Sequence, residues 1–212
     1  MWAESGESQE YVVVNHFMSA PDTDIDTEEL IGSVTGEGDD FNTNNMDIDP
    51  NQVTGKIGKA LDMNEGSEIK NERVCLEDEF SSDAEKTNCK GDNDIFDNQV
   101  SVRTVSLWYK ADAVDRRQVL FEEGGSGNGQ IIHLLDGEIF ACTTASSLWR
   151  CVSYTTTANE WHHVALVWVS GTTSYLYHDG EEVAEFTGRP NNSHSNPSAL
   201  GNIAGETNIT HG

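Results

Sequence analysis

The sequence predicts an all-β protein built as an antiparallel sandwich, and three observations support this fold class. Short runs rich in β-branched and aromatic residues follow one another closely from Gln99 onward. Turn-forming dipeptides separate several of these runs, and no window of helical length carries a sustained apolar stripe of 3.6-residue period. A chain of 212 residues also lies within the size that a single β-sandwich domain reaches.

The strand predictions in the first part of the chain rest on short apolar runs. Glu10–Met18 opens with consecutive β-branched residues, and Lys56–Met63 alternates apolar and polar residues less cleanly. Residues 99–111 alternate with a phase slip near Thr104, which predicts a β-bulge at that point. Val119–Gly125 predicts a short strand that ends in a glycine-rich turn.

In the second part of the chain, two Asp-Gly dipeptides mark hairpins. Asp136-Gly137 and Asp179-Gly180 each supply the two residues with positive φ that a tight two-residue turn needs. The predicted strands around and between them lie in Gln130–Thr144, Trp149–Thr156, His162–Val169 and Thr173–Phe186.

The charge of the chain excludes several function classes. The formal net charge is −25, of which residues 1–98 contribute −19. This charge excludes a nucleic-acid partner, because phosphate recognition needs a basic surface. Membrane insertion is excluded as well, because no apolar run approaches the length of a transmembrane helix.

Two acidic segments, 20–50 and 76–97, have the composition of long solvated loops. Like charges would keep these loops extended and the protein soluble, and the same carboxylates are ligands that Ca²⁺ prefers. Asp22, Asp24 and Asp26 alternate as in a calcium loop, but the glycine and the final acid of an EF-hand are missing.

Four cysteines allow three pairings, and their spacing favours one of them. Cys142 and Cys151 lie on strands predicted to be neighbours, and Cys75 and Cys89 flank the second acidic loop. Disulfides are favoured over four free thiols in a reducing compartment, because the cysteines lie among polar residues. A zinc site is not predicted: there is no CxxC motif, and His162 and His163 point to opposite faces of one strand.

Five segments resemble laminin G-like domains of the concanavalin A-like lectin/glucanase superfamily, a group related to the pentraxins. They occur in the family's order and cover about residues 50–205. The five sequences are GKIGKALDM from Gly55, VSLWYK from Val105, LF through GG from Leu120, WHHVALV from Trp161 and LYHDG from Leu176. The resemblance implies a jelly-roll β-sandwich that acts as a binding or adhesion module of secreted and cell-surface proteins.

The resemblance also implies a calcium site between two loops, at 124–129 and 200–207. These loops offer Asn128, Asn202 and Glu206, although the paired carboxylates of the pentraxin pattern are absent from the first loop. We expect one domain over residues 1–212. Family members continue with a closing strand beyond the point where this sequence stops, so we also expect a fragment of a longer, multidomain protein.

Three function classes follow from these expectations. The first is a non-catalytic module that recognises a glycan or a surface protein, with Trp149 and Tyr154 as the candidate ligand-binding residues. The second is a spacer or adhesin domain without a small ligand. The third, a glycoside hydrolase, is disfavoured, because no hydrophobic strand carries the same-face carboxylates that a retaining enzyme needs.

Both Trp108 and Trp161 are expected to be core aromatics, and the two adjacent histidines are expected to be structural. The sequence thus predicts no enzyme, no cofactor other than calcium, and an extracellular location.

Overall fold

The structure, a computed structural model, describes residues 52–57, 59–61, 74–75, 99, 102–125, 127–169, 173–189, 192–194 and 198–201. Every regular element in these ranges is a β-strand, which confirms the predicted all-β class. Nowhere in the same ranges is there a helix with the length and apolar character that crossing a bilayer requires.

The described ranges contain twelve strands. In chain order they are β1 Gln52–Thr54, β2 Lys59–Leu61, β3 Val74–Cys75, β4 Val102–Tyr109, β5 Gln118–Gly124, β6 Asn128–Leu135, β7 Glu138–Ala145, β8 Leu148–Thr155, β9 His162–Val169, β10 Thr173–His178, β11 Glu181–Thr187 and β12 Ser198–Leu200.

Two antiparallel sheets form the sandwich. One sheet has four strands in the order β11-β10-β9-β4, and the other has six in the order β3-β12-β5-β6-β7-β8. Strands β1 and β2 form a separate antiparallel pair. The neighbours β6-β7-β8 and β9-β10-β11 are successive along the chain, and two or three residues separate each strand from the next.

Both predicted Asp-Gly turns are confirmed. Asp136 and Gly137 join β6 to β7 with φ angles of 50° and 83°, and Asp179 and Gly180 join β10 to β11 with 52° and 88°. Positive φ at both central residues matches the twist of the flanking strands, which explains why Asp-Gly is favoured at these two positions.

The core lies between the two sheets and follows the two-residue period of the strands. The even-numbered residues of β9 face the six-stranded sheet, and its odd-numbered residues face away from it. The buried core side chains come from both sheets and from the segment after β4: Tyr109, Ala111, Phe121, Ile132, Leu134, Ile139, Ala141, Val164, Leu166 and Leu176.

Strand β4 differs from its prediction. It pairs with β9 residue for residue from Val102 to Tyr109, without the bulge expected near Thr104. The apparent phase slip arises because both faces of β4 carry apolar residues. Val102 and Trp108 point outward and are 56% and 40% exposed, so the prediction that Trp108 belongs to the core is wrong. Trp161 is half-buried just before β9.

Two further links stabilise the fold, one between the two sheets and one within the six-stranded sheet. Arg103 of β4 forms an ion pair with the fully buried Glu123 carboxylate of β5, and this pair joins the two sheets. Cys142 and Cys151 lie directly opposite each other on β7 and β8 and form the predicted disulfide. The partner expected for Cys75, Cys89, lies outside the described residues.

Several predictions concern residues that the structure does not describe: the strand at Glu10–Met18 and the acidic segments 20–50 and 76–97. The strand predicted at Lys56–Met63 is described in part. Lys56 and Ile57 lie in a bend, and the strand is limited to Lys59–Leu61. The single-domain and fragment expectations stay predictions.

The alternation along β9 gives a test of the core. Leu166→Ala should lower the free energy of unfolding by about 2–5 kcal/mol, because Leu166 is 1% exposed and its loss leaves a cavity between the sheets. Val167→Ala, on the half-exposed side of the same strand, should cost less than about 1.5 kcal/mol. Chemical denaturation followed by circular dichroism measures both, and equal losses would contradict the assignment of faces.

Candidate functional site

The outer face of the four-stranded sheet carries four ring side chains, Trp108, His163, Tyr175 and Tyr177, which we call the aromatic face. The residues next to them along β4, β9 and β10 are core residues, so these four point away from the core. Trp108 is opposite His163 in the pairing of β4 with β9, and the other three rings are half-buried. The rings therefore lie together on a solvent-facing sheet surface.

Polar contacts hold two of these rings in place. His163 Nε2 lies 2.8 Å from Ser106 Oγ, and the Tyr177 hydroxyl donates to Glu182 Oε2 at 3.2 Å. Burial lowers the pKa of His163, against the opposing charge of Asp179. Burial and then the hydrogen bond to Glu182 raise the pKa of Tyr177. Both rings are therefore uncharged at neutral pH.

One cation lies over the aromatic face. Lys56 Nζ, from the bend between β1 and β2, is 5.3 Å from the centroid of the Trp108 ring, within the range of a cation–π contact. His163 contacts the same indole at 5.1 Å between ring centroids, with the rings tilted by 55°. Trp108 remains 40% exposed despite both neighbours, so part of its ring is open to a ligand.

A second group, the histidine cluster, lies at the end of the interface between the sheets and consists of His162, His178 and Asp179. Asp179 Oδ2 is 2.7 Å from His162 Nδ1 and 3.4 Å from His178 Nδ1. Asp179 Oδ1 accepts a hydrogen bond from the His163 backbone N–H at 2.8 Å. The three side chains thus bring two ring nitrogens and a carboxylate oxygen within 4.8 Å of one another.

Hydroxyl groups contact the other nitrogen of each clustered ring. His162 Nε2 lies 2.9 Å from Thr157 Oγ1, and His178 Nε2 lies 3.2 Å from the Tyr109 hydroxyl. The Tyr109 hydroxyl is in turn 2.7 Å from Thr156 Oγ1. Both rings are therefore fixed in orientation on both sides.

The electrostatics of the cluster follow from burial and from these contacts. Burial lowers the pKa of His178, against the charge of Asp179, and burial raises the pKa of Tyr109 to about 12. For Asp179, burial acts to raise the pKa, but the hydrogen bonds from His162 and from the His163 backbone outweigh it and lower the pKa. Asp179 is therefore an anion at neutral pH.

The two predicted ligand-binding residues do not share a surface. Trp149 is half-buried and packs against Val119, Ile131 and Cys142. Tyr154 lies on the opposite face of β8, is 40% exposed, and has its ring 5.4 Å from that of His178. Of the two, Tyr154 is the more open to a ligand.

Of the predicted calcium ligands, the structure describes Asn128 alone; Asn202 and Glu206 lie outside the described residues. The Asn128 side-chain oxygen accepts from the Ser146 N–H and from Asn192 Nδ2, both at 3.3 Å. Its Nδ2 donates to the Ser193 carbonyl at 3.4 Å. Asn128 thus links the start of β6 to the β7–β8 turn and to residues 192–193, and its calcium role stays a prediction.

Sequence reasoning missed two residues. The sequence pattern assigns Trp108 to the core, and its outward position follows only from its pairing with His163, which the sequence does not show. His178 was not considered beside His162. The signal available was its position directly before the Asp179-Gly180 turn, where β10 lies antiparallel to β9 and returns to the end at which β9 begins.

The contacts of Asp179 give a stability test. Asp179→Asn should lower the free energy of unfolding by about 1 kcal/mol, because Asn tolerates the positive φ but lacks the charge that attracts the His162 proton. The figure is small because the Asp179 side chain is 45% exposed and the solvent screens its charge. Asp136→Asn, in the other Asp-Gly turn, is the control and should change stability by less than about 0.5 kcal/mol.

The pH dependence checks the cause. A carboxylate with a lowered pKa in the folded state stabilises the fold fully above its ordinary pKa of 3.8, and this contribution is lost as the pH falls through the lowered value. The difference between Asp179→Asn and the unaltered protein should therefore be full at pH 7 and shrink below pH 3.8. A difference independent of pH would contradict the charge-based explanation.

Comparisons with known proteins agree with this fold. The laminin G family model described as the concanavalin A-like lectin/glucanases superfamily matches residues 85–212. No curated protein matches the chain at a significant level.

Among solved structures, the binding domain of Paraclostridial Mosquitocidal Protein 1 has a TM-score of 0.58 and 14% identity, covering 81% of this chain and 42% of its own. The receptor binding domain of botulinum neurotoxin D also has a TM-score of 0.58, with 11% identity over 85% of this chain and 43% of its own. Domains LG4-5 of the mouse laminin alpha1 chain have a TM-score of 0.45 and 16% sequence identity, and the match covers 54% of this chain and 32% of the laminin chain.

The chain thus spans less than half the length of these three structures. At such identities the two toxin domains show a shared fold alone. The family match is different in kind, because it covers more than half of the sequence. The protein therefore belongs to the concanavalin A-like lectin/glucanases superfamily, as a laminin G-like domain.

Proposed function

We propose that this protein is a non-catalytic binding module that recognises a neutral glycan at its aromatic face. The observation that carries the proposal is the 40% exposure of Trp108 on the outward side of a sheet whose other side forms the core. Aromatic residues grouped on one exposed surface are typical of interaction sites.

The aromatic face has the chemistry that a sugar ring needs. The C–H groups on one side of a pyranose pack against an aromatic ring, while its hydroxyls take hydrogen bonds from polar groups around that ring. Trp108 and Tyr177 lie two strand spacings apart and are offset by two residues along the strands, which places them roughly 12 Å apart and suits a short oligosaccharide rather than a single sugar. Ser106, His163 and Glu182 supply hydrogen-bonding groups between them.

The charge of the protein favours a neutral ligand. The formal net charge is −25, and Glu182 and Glu185 are exposed on the strand next to the tyrosines. A sulfated or sialylated glycan would meet repulsion over most of the approach to this face. Lys56, above Trp108, is a local exception that can hydrogen-bond to sugar hydroxyls.

The comparisons support a binding role in general terms, because the two toxin structures that share the fold are named as a binding domain and a receptor binding domain. The Cys142–Cys151 disulfide supports a secreted or cell-surface location, where disulfides persist. Binding to a surface protein, and the role of a spacer or adhesin domain, are the competing outcomes of the experiment below.

Calcium assistance is a separate part of the proposal. If calcium binds to Asn128, Asn202 and Glu206, the side-chain oxygen of Asn128 would bind the ion in place of its hydrogen bonds from Ser146 and Asn192. Calorimetric titration of the full chain with calcium tests this role. We expect the unaltered protein to release or absorb heat on binding calcium and Asn128→Ala to show no such heat. The absence of heat from the unaltered protein at millimolar calcium would contradict calcium binding.

The glycan test compares two equally exposed aromatic residues. Trp108→Ala should weaken binding to neutral glycans on an array by at least about tenfold, because a stacked ring contributes on the order of 1–3 kcal/mol. Tyr154→Ala is the matched control, since Tyr154 is also 40% exposed but belongs to the other sheet. This variant should bind glycans with the same affinity as the unaltered protein.

Each other outcome contradicts a named part of the proposal. If Tyr154→Ala loses glycan binding and Trp108→Ala does not, the glycan binds near Tyr154 on β8, and the aromatic face is not the site. A folded, unaltered protein that binds no glycan on the array would overturn glycan recognition. It would favour a spacer or a protein partner.

A further inference from the structure

The histidine cluster brings three potential metal ligands, two imidazole nitrogens and a carboxylate oxygen, within 4.8 Å of one another. His162 Nδ1 and His178 Nδ1 both approach Asp179 Oδ2, at 2.7 Å and 3.4 Å. Donor atoms around a tetrahedral Zn²⁺ lie about 3.3 Å from one another, given metal–ligand distances of about 2.0–2.1 Å. The contact to His178 already has this length, and that to His162 needs a displacement of about half an ångström.

The surroundings of the rings match those of metal-binding histidines. A histidine that binds a metal through one nitrogen usually hydrogen-bonds through the other, which fixes the tautomer and the ring orientation. Thr157 Oγ1 contacts His162 Nε2 at 2.9 Å, and the Tyr109 hydroxyl contacts His178 Nε2 at 3.2 Å. Both Nδ1 atoms are therefore directed toward the same carboxylate by groups outside the cluster.

Hydrogen bonding around Thr157 gives an independent reason. The Thr157 hydroxyl donates to Glu160 Oε2 at 3.3 Å, which leaves its oxygen able to accept a hydrogen bond from His162 Nε2 at 2.9 Å. With a proton on Nε2, the Nδ1 atom of His162 can offer a lone pair to a metal ion on the side where Asp179 Oδ2 lies 2.7 Å away. A metal ion bound between Nδ1 and Oδ2 would therefore replace the proton that Nδ1 donates to Asp179 when no metal is bound.

The donor set selects the class of metal. Two imidazole nitrogens and one carboxylate oxygen suit Zn²⁺ and its first-row neighbours, whereas Ca²⁺ requires six to eight oxygen ligands. The rings of His162 and His178 are buried, but the Asp179 side chain is 45% exposed. An ion can therefore enter from the Asp179 side, where a fourth position stays open to water or to a ligand atom.

We propose that His162 Nδ1, His178 Nδ1 and Asp179 Oδ2 form a three-ligand site for a divalent transition metal, with zinc as the expected ion. The metal would replace the proton between His162 and Asp179 and would join the start of β9 to the end of β10. The site is separate from the aromatic face, because His162 and His178 point to the core side of the sheet.

The test uses the full chain, stripped with a chelator and titrated with ZnCl₂ by calorimetry. One ion per chain is expected, together with a rise in the melting temperature. CoCl₂ in place of zinc should give the intense visible absorption of a tetrahedral site. CaCl₂ should neither compete with zinc nor produce these effects.

Matched variants locate the ion. Asp179→Asn should weaken zinc binding by at least about a hundredfold, and Thr157→Val, which acts through His162, by about tenfold. Asp136→Asn and His163→Gln are the controls and should bind zinc as the unaltered protein does. His163→Gln is informative because His163 lies next to His162 on β9 but points to the outer face of the sheet.

Spectroscopy keeps the test independent of variants that fail to fold. In the unaltered protein, zinc should shift the imidazole nitrogen resonances of His162 and His178 and leave those of His163 in place. Three outcomes would overturn the proposal: no saturable zinc binding, zinc affinity unchanged in Asp179→Asn, or shifts confined to other histidines. The glycan test above does not depend on any of them.

Discussion

The packing of one sheet face against the other is the constraint on which the rest of this structure depends. Strand β9 is central to it, because its even-numbered residues enter the core while β4 and β10 flank it on either side. Once that phase is fixed, the outward positions of β4 and β10 are fixed as well, because both strands pair with β9 without a register shift. The aromatic face and the histidine cluster are thus consequences of one register, seen on opposite sides of the same strands.

The two sides use adjacent residues for different purposes. His162 and His163 are neighbours in the chain, yet one joins the buried cluster and the other lies beside Trp108. Asp179 contacts both, through the ring of His162 and the backbone N–H of His163. A single carboxylate in a tight turn therefore links the geometry of the cluster to the strand that carries the outer rings.

The sequence was sufficient for the features that local chemistry decides. Asp-Gly at 136 and 179 specified two hairpins, and the alternation of Val164 and Leu166 with their neighbours specified the buried side of β9. The cross-strand disulfide followed from the spacing of Cys142 and Cys151.

What the sequence could not supply depends on pairing between distant strands. Trp108 looks like a core residue because both faces of β4 carry apolar side chains, and only its register against His163 shows which face it occupies. His178 and His162 are far apart in the chain, and their approach requires β9 and β10 to be antiparallel with a known offset. Neither propensity nor composition contains that offset.

The disulfide between β7 and β8 has a mechanical consequence. In the described part of the chain, β8 is the last strand of its sheet, and it pairs with β7 alone. The bond between Cys142 and Cys151 closes the intervening hairpin covalently. Tension applied along the polypeptide cannot lengthen that loop even after its hydrogen bonds break. Under oxidising conditions the segment between the two cysteines therefore contributes no extension under load, and a reductant would make it extensible.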